Sequence, residues 1–522
     1  MLLSGECKGP GPAGTRRSWW AWEGLALTLC LAAALRLAAV HESLWLDELH
    51  TAWTVADGFQ SIVPRAAIGN QSPLYFLLVW AWTTFAGLNE LAVRTPSLLA
   101  GLLLVAGVCE VVRRWTGSDA AGLCAALLAA VDGNCVFYAQ EARTYALVQL
   151  VALGQAAAFR QVLETPTVRW RLAFAAGSIA MYYLHYTALL LLAAEVTVYV
   201  GLWLWRPWRP QYRPGQLVRD WAVLGLCLLP SAPQLWDIAR RREAWAKFID
   251  KQPFQHVFTM LPVTVDVLLP LGLCAAAWCV QAACRARRQW RGPPPRTIAI
   301  ASGWLVVPLA LAWGLTEWDW ARLFFVRYLS VTLVVPSILA GLAVAACPDK
   351  WSRGVCAATI AVAALWPVST DSPPSGSRHA QDWRSAVRTL RESVGNPRTP
   401  VFVRSGLIEA DRLDSGADAR LREYCLLPVL GIYRTAQERD SLVPLPTTHT
   451  TDLSPADRSR MAAAGEAWFL LLGAPADVAV MSHALLSGWE GTGVQPRLTE
   501  QRACGAVAVL RLELAPPSAA GK

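Results

Sequence analysis

The sequence predicts a mainly α, polytopic transmembrane helical bundle of about eleven spans plus interfacial helices, with a small C-terminal soluble α/β domain. Three observations carry this. The 522-residue chain is 54% hydrophobic and only 16% charged, with a mean hydropathy of +0.34. Apolar runs of about 17–25 residues recur, the length a helix needs to cross hydrocarbon. Many of the 26 tryptophans sit at the ends of those runs, as interfacial belts require.

The first apolar run, 24–40, follows Lys8, Arg16 and Arg17 and lacks a small-x-small cleavage site, so it reads as a retained signal anchor. Basic residues then cluster in short connections: Arg113-Arg114, Arg160 with Arg169 and Arg171, 206–219, 285–296, and Lys350 with Arg353. The net charge of +9 therefore serves orientation and is no nucleic-acid signal. Placing those clusters in the cytoplasm puts spans near 24–40, 94–112, 119–138, 143–160, 171–184, 187–204, 221–236, 257–281, 297–316, 324–346 and 354–369. The N-terminus is then cytoplasmic and the C-terminus extracytoplasmic, in a multi-pass protein of the cell (inner) membrane. The apolar piece 73–88 breaks the alternation and reads as a helix lying in the outer interface.

Composition changes near Asp371. Residues 371–383 read as a linker, followed by an amphipathic helix ("WRSAVRTLRESV") and short apolar strands ("TPVFVRSG", "EAWFLLLGAP", "GAVAVLRLEL"). The division is a membrane domain over 1–370, with an outer loop at 41–93, and a soluble extracytoplasmic domain over 371–522. Of thirteen cysteines, most lie in apolar runs (Cys109, Cys124, Cys227, Cys274, Cys279) and act as small hydrophobes. Cys425 and Cys504 fall in the soluble part, where pairing is open to them.

This topology collects the unusual polar groups on the outer side. They are Asp47-Glu48 in "HESLWLDELHTAW", then "YAQEARTY", "YYLHYT", "IARRREAWAKF" and "TEWDWARLFFVRY". Arg240, Arg241 and Arg242 break the positive-inside pattern there, pointing to anion or headgroup binding. Asp132, Glu195 and Asp266 lie within spans and face the bundle interior. Asn70-Gln71-Ser72 matches a glycosylation acceptor pattern, but it precedes Pro73 near the interface and reads as coincidence.

Several of these segments resemble membrane glycosyltransferases of the GT-C fold, in particular bacterial relatives of protein O-mannosyltransferases and the lipid A aminoarabinose transferase. "LWLDELHTAW" resembles the first-loop Asp-Glu motif, and "NQSPLYFLLVWAWTTFAGLNELAVRTPSLLAGLLL" the block after it. Gln71-Ser72 stand where the family often has a basic residue before the proline. "FYAQEARTYAL", "LHYT" and "RYLSVTLVVP" also have counterparts. The resemblance implies inverting transfer of a sugar from a polyprenyl-phosphate donor to an extracytoplasmic lipid, glycan or protein hydroxyl.

In that frame Asp47 is the expected general base, with Glu48 orienting it, binding sugar hydroxyls or being the base itself. Glu141, Arg143, Tyr145, His185, Tyr186, Arg322 and Arg327 are the expected residues for donor phosphate and sugar, since a leaving lipid phosphate needs fixed cations. Asp319, between Trp318 and Trp320, fits either sugar binding or an interfacial belt. No cofactor is required. A divalent metal is not indicated, although Asp47, Glu48 and His50 supply some possible ligands. The partners expected are the lipid-linked donor, the acceptor and the bilayer, without nucleic acid. The competing classes are a flippase of lipid-linked sugars and a non-catalytic subunit of an envelope glycan assembly.

Overall fold

The computed structural model describes residues 18–242, 249–261, 293–347, 349–370, 380–413, 419–448, 453–489 and 495–515. Seven described helices are long and apolar enough to cross a membrane: Trp19–Leu37, Glu90–Thr116, Tyr145–Glu164, Tyr186–Leu204, Pro214–Arg240, Pro295–Glu317 and Val326–Ala346. Asp119–Val131 with Gly133–Ala139 makes an eighth if the pair is one span. The crossing expected at 119–138 is broken in two here, with a bend of 62°. The cause is local. The carboxylate of Asp132 accepts the Cys135 amide at 2.7 Å, capping a new helix inside the run.

Three other expected crossings stand differently. The one at 171–184 is the helix Val168–Leu184, only 17 residues long. That at 354–369 lies on the 21-residue helix Lys350–Thr370. The run 257–281, with Asp266 and most of the 285–296 cluster, falls almost wholly outside the described residues, as does most of the 371–383 linker. The apolar piece at 73–88 forms Leu74–Ala86, whose 13 residues rise about 20 Å, short of the roughly 30 Å of hydrocarbon.

The chemistry of the helix ends follows the sequence. Asn89 caps Glu90–Thr116 by accepting the Ala92 amide at 2.9 Å, and Gly117 ends that helix at φ +69°.

The C-terminal part carries a five-stranded sheet in the order β2-β1-β3-β5-β4: β1 is Val401–Arg404, β2 Leu442–Pro444, β3 Glu466–Leu472, β4 Gln495–Cys504 and β5 Val507–Ala515. β1 pairs in parallel with β2 and β3, while β5 pairs antiparallel with β3 and β4. The amphipathic helix is Trp383–Ser393, N-capped by Asp382. Cys425 and Cys504 are both free and buried, which corrects the open pairing: Cys425 ends the helix Ala419–Cys425 and Cys504 ends β4, each enclosed in apolar core.

This sheet domain is clasped onto the first loop of the membrane bundle. Its Trp383, Val401 and Trp468 share one apolar core with Leu44, Leu46 and Leu49. Five polar contacts reinforce the joint. The Tyr433 hydroxyl accepts the Leu44 amide at 2.7 Å and bonds to Glu90. Arg384 pairs with Glu90 at 2.7 Å and donates to the His41 carbonyl at 2.7 Å, and Gln381 accepts the Leu46 amide at 3.1 Å. The residues on either side of Asp47 are therefore held from both the membrane and the sheet.

Candidate active site

The first-loop helix Leu46–Ala56 begins at the two acids, so Asp47 and Glu48 point in different directions. Glu48 turns inward and is fully buried. Its carboxylate accepts Nε and Nη2 of Arg94 at 2.7 and 2.5 Å, the Ala142 amide at 2.8 Å and the Trp45 amide at 3.4 Å. Arg94 spends its remaining donors on the carbonyls of Val40, Glu42 and Ser43. This is a paired buried charge of the kind that survives only when every lone pair is satisfied. It ties the end of the first span to the start of the next and to the 140–144 turn.

Asp47 faces the other way, into a cavity of about 320 Å³. Arg327 Nη1 stands 3.2 Å from its Oδ2, and Arg143 Nη2 stands 3.8 Å from the same oxygen. Arg143 also donates to the Asp47 carbonyl at 3.1 Å. Its own backbone is fixed in turn, because Ser97 donates to the Arg143 carbonyl at 2.8 Å and Tyr75 bonds Ser97 at 2.8 Å. Arg327 lies over the Trp45 and Phe325 rings, 5.8 and 5.0 Å from their centroids. Tyr145 and His185 complete this wall, 5.7 Å apart centre to centre.

The opposite wall comes from the sheet domain. Gly406, Leu407, Ile408, Glu409 and Tyr424 all line the cavity. Gly406 sits at φ +82°, a backbone that glycine adopts without strain. Tyr424 packs edge-on to His50 at 5.2 Å. His50 is pressed so closely on Gly69 that a Cβ there would lie 2.3 Å from the ring.

A second cavity, of about 330 Å³, adjoins the first, sharing His185, Tyr328 and Gln71. Its lining is largely apolar, from Leu235, Ile238, Trp320 and Leu323, with Arg242 and Arg322 at its edge. Tyr186 lines it while donating to Gln234 at 2.7 Å. Arg322 pairs with Asp319 at 2.7 Å, and Lys251 pairs with the same acid at 2.6 Å. Arg241 bonds the side chain of Asn70, and Arg240 lies over Trp236.

The fixed positive charge of the site comes from arginine. Burial, followed by the charge of Arg143, brings His50 down to about 4, so it is neutral at pH 7 and its Nε2 donates to the Arg65 carbonyl at 3.2 Å. Burial and the two arginines bring His185 down to about 3. Glu409 moves the other way, its carboxyl raised by burial in the cavity wall.

Of the nine residues expected from sequence, Asp47, Arg143, Tyr145, His185 and Arg327 line the first cavity, and Tyr186 and Arg322 the second, with His185 common to both. Glu48 and Glu141 are buried and line neither. Glu195, also singled out in a span, accepts Gln155 Nε2 at 2.9 Å deep in the bundle. Among the described residues, no group of three or more His, Cys, Asp or Glu is arranged to hold a metal ion. Sequence reasoning missed Arg94, Glu409 and Tyr424.

No protein-family model matches the chain, and no curated protein matches its sequence. Solved structures do match. The crystal structure of ArnT from Cupriavidus metallidurans bound to undecaprenyl phosphate aligns over 94% of this chain and 98% of its own, at a TM-score of 0.53 and 13% identity. The fold is GT-C-like. The apo state of the same ArnT aligns over 94% and 97%, at a TM-score of 0.51 and 13% identity. At that identity the likeness to ArnT is one of fold, and it spans both the membrane bundle and the C-terminal sheet of this GT-C-like chain. It is an integral membrane protein.

Proposed function

We propose that this chain is a membrane glycosyltransferase that moves a sugar from a polyprenyl-phosphate donor to an extracytoplasmic acceptor hydroxyl, with inversion at the anomeric carbon. One observation carries the reading: a cavity-facing carboxylate, Asp47, with two arginines at 3.2 and 3.8 Å. The GT-C-like fold and the undecaprenyl phosphate bound by ArnT support the donor class.

Asp47 takes the acceptor proton as the acceptor oxygen bonds to the anomeric carbon. The bond from that carbon to the donor phosphate oxygen breaks, and the phosphate leaves on its carrier. A positioned base of this kind is typically worth 10²–10⁴-fold. Arg143 and Arg327 hold the charge that grows on the departing phosphate. A phosphate seated between them shares the charge now directed at Asp47, which leaves that carboxylate better able to accept a proton. The apolar second cavity suits the isoprenoid next to the phosphate, with Tyr186 and Arg322 along it. Glu48 orients the loop rather than reacting. The reading requires no metal. It puts the site and residues 371–522 on the extracytoplasmic face, with 1–370 as the membrane domain.

The test is to reconstitute the purified protein in vesicles with radiolabelled polyprenyl-phosphate hexoses and pentoses. Label leaving the carrier for an acceptor or for water is the expected result. Carrier exchange between leaflets without loss of label would replace the reading with a flippase.

A further inference from the structure

Among the described residues, Glu409 is the one acid that the sheet domain presents to the Asp47 cavity. It sits in the short 3-10 helix Ile408–Arg412, is 5% exposed and meets the cavity with its neighbours Gly406, Leu407 and Ile408. Among the described residues it forms no ion pair. Its carboxylate accepts from its own backbone amide, and Arg241 and Arg412 act on it only through their charge. A buried carboxylate without a cation in contact is costly unless something else meets its lone pairs. Behind the cavity, Glu48 shows what a purely structural acid looks like here: four donors and complete enclosure.

The two walls of the cavity differ in sign. The membrane wall carries Arg143 and Arg327, and the sheet wall carries Glu409 beside the Tyr424 ring. An anion is favoured on the first wall and repelled from the second. A carboxylate offers acceptor sites for two hydroxyls at once, and an aromatic beside it offers an apolar face, a pairing suited to a sugar ring.

We propose that Glu409 is a specificity-determining residue that binds the acceptor, which is a neutral carbohydrate presenting a hydroxyl pair next to the hydroxyl that Asp47 deprotonates. This rests on the glycosyltransferase reading for the reaction but not for the binding. The sheet domain is then a working half of the site: it reads the acceptor while the membrane helices hold the donor.

The experiment uses the full chain in nanodiscs. Saturation-transfer NMR measures binding of a panel of neutral methyl glycosides, and a separate titration measures undecaprenyl phosphate. Glu409→Gln and Glu409→Ala are compared with wild type, with Glu409→Asp as the conservative variant. The expected result is that at least one glycoside binds wild type, loses tenfold or more in Glu409→Gln and Glu409→Ala, and recovers in part in Glu409→Asp. Undecaprenyl phosphate binding stays within twofold throughout. Equal glycoside binding by all variants, absence of glycoside binding by wild type, or matched loss of both ligands would each overturn the assignment. Glycoside binding that depends on Glu409 in a protein that transfers no sugar would keep this assignment and remove the glycosyltransferase reading.

Discussion

Asp47 and Glu48 are neighbours in sequence with opposite surroundings. The Glu48 side of the first-loop helix is a closed electrostatic knot, in which Arg94 and two backbone amides consume the carboxylate. The Asp47 side opens on a cavity where two arginines face one carboxylate at 3.2 and 3.8 Å. The lesson is that adjacent acids need not share a task. One helical residue step of 100° is enough to separate a charge that builds the site from a charge that faces the cavity.

The comparison breaks most visibly at Arg94. Arg94→Ala strands a buried charge, a change that costs about 3–5 kcal/mol. Loss of the folded protein from detergent extracts, followed by size-exclusion chromatography, is the expected outcome. A well-folded Arg94→Ala protein would show that the knot is dispensable. Arg327→Ala tests the open side. It leaves the fold intact and weakens undecaprenyl phosphate binding by about 10–100-fold, the scale of a charge-assisted contact. Calorimetric titration reads this directly.

Acidity sharpens the same contrast. His50 is held neutral in the fold, brought from its ordinary 6.5 to about 4 by burial and then by Arg143. Its folded pKa is lower than its unfolded one, so the unfolded chain binds the proton first. Its contribution to stability is complete above about 6.5 and is lost as pH falls towards about 4. Melting temperature should therefore fall across that window, and less steeply in His50→Gln. The smallest effect concerns the clasp between sheet and first loop. Tyr433→Phe removes the hydroxyl that accepts the Leu44 amide and bonds Glu90, a loss of about 1 kcal/mol. A shift of a few degrees in melting temperature checks it.

Much of this was legible before any coordinates. Hydropathy and basic clusters placed most membrane helices, and grouping polar motifs by side of the membrane brought Asp47, Arg143, Tyr145, His185 and Arg327 onto one list. The cavity contains all five. Glu141 shared their segment but is buried away from both cavities, because sequence adjacency to Arg143 does not fix the direction of a side chain in a tight turn. Arg94 had a signal that went unread: a lone arginine at the start of a long apolar run is costly unless paired. Glu409 and Tyr424 had none. They belong to a part of the chain with ordinary soluble composition, and only the clasp at Glu90, Arg384 and Tyr433 brings them against a loop more than three hundred residues earlier. The bend at Asp132 was hidden for a related reason, since an acid in an apolar run reads as a buried charge until its capped amide is seen.

The most direct measurement is donor turnover and donor binding in Asp47→Asn, with Glu48→Gln as its neighbour control. The account predicts that Asp47→Asn stays folded, binds undecaprenyl phosphate at least as well as wild type and loses sugar transfer by 10²–10⁴-fold. Glu48→Gln, in contrast, loses stability first. Undiminished transfer by folded Asp47→Asn protein would contradict the central claim and take the cavity-facing carboxylate out of the chemistry.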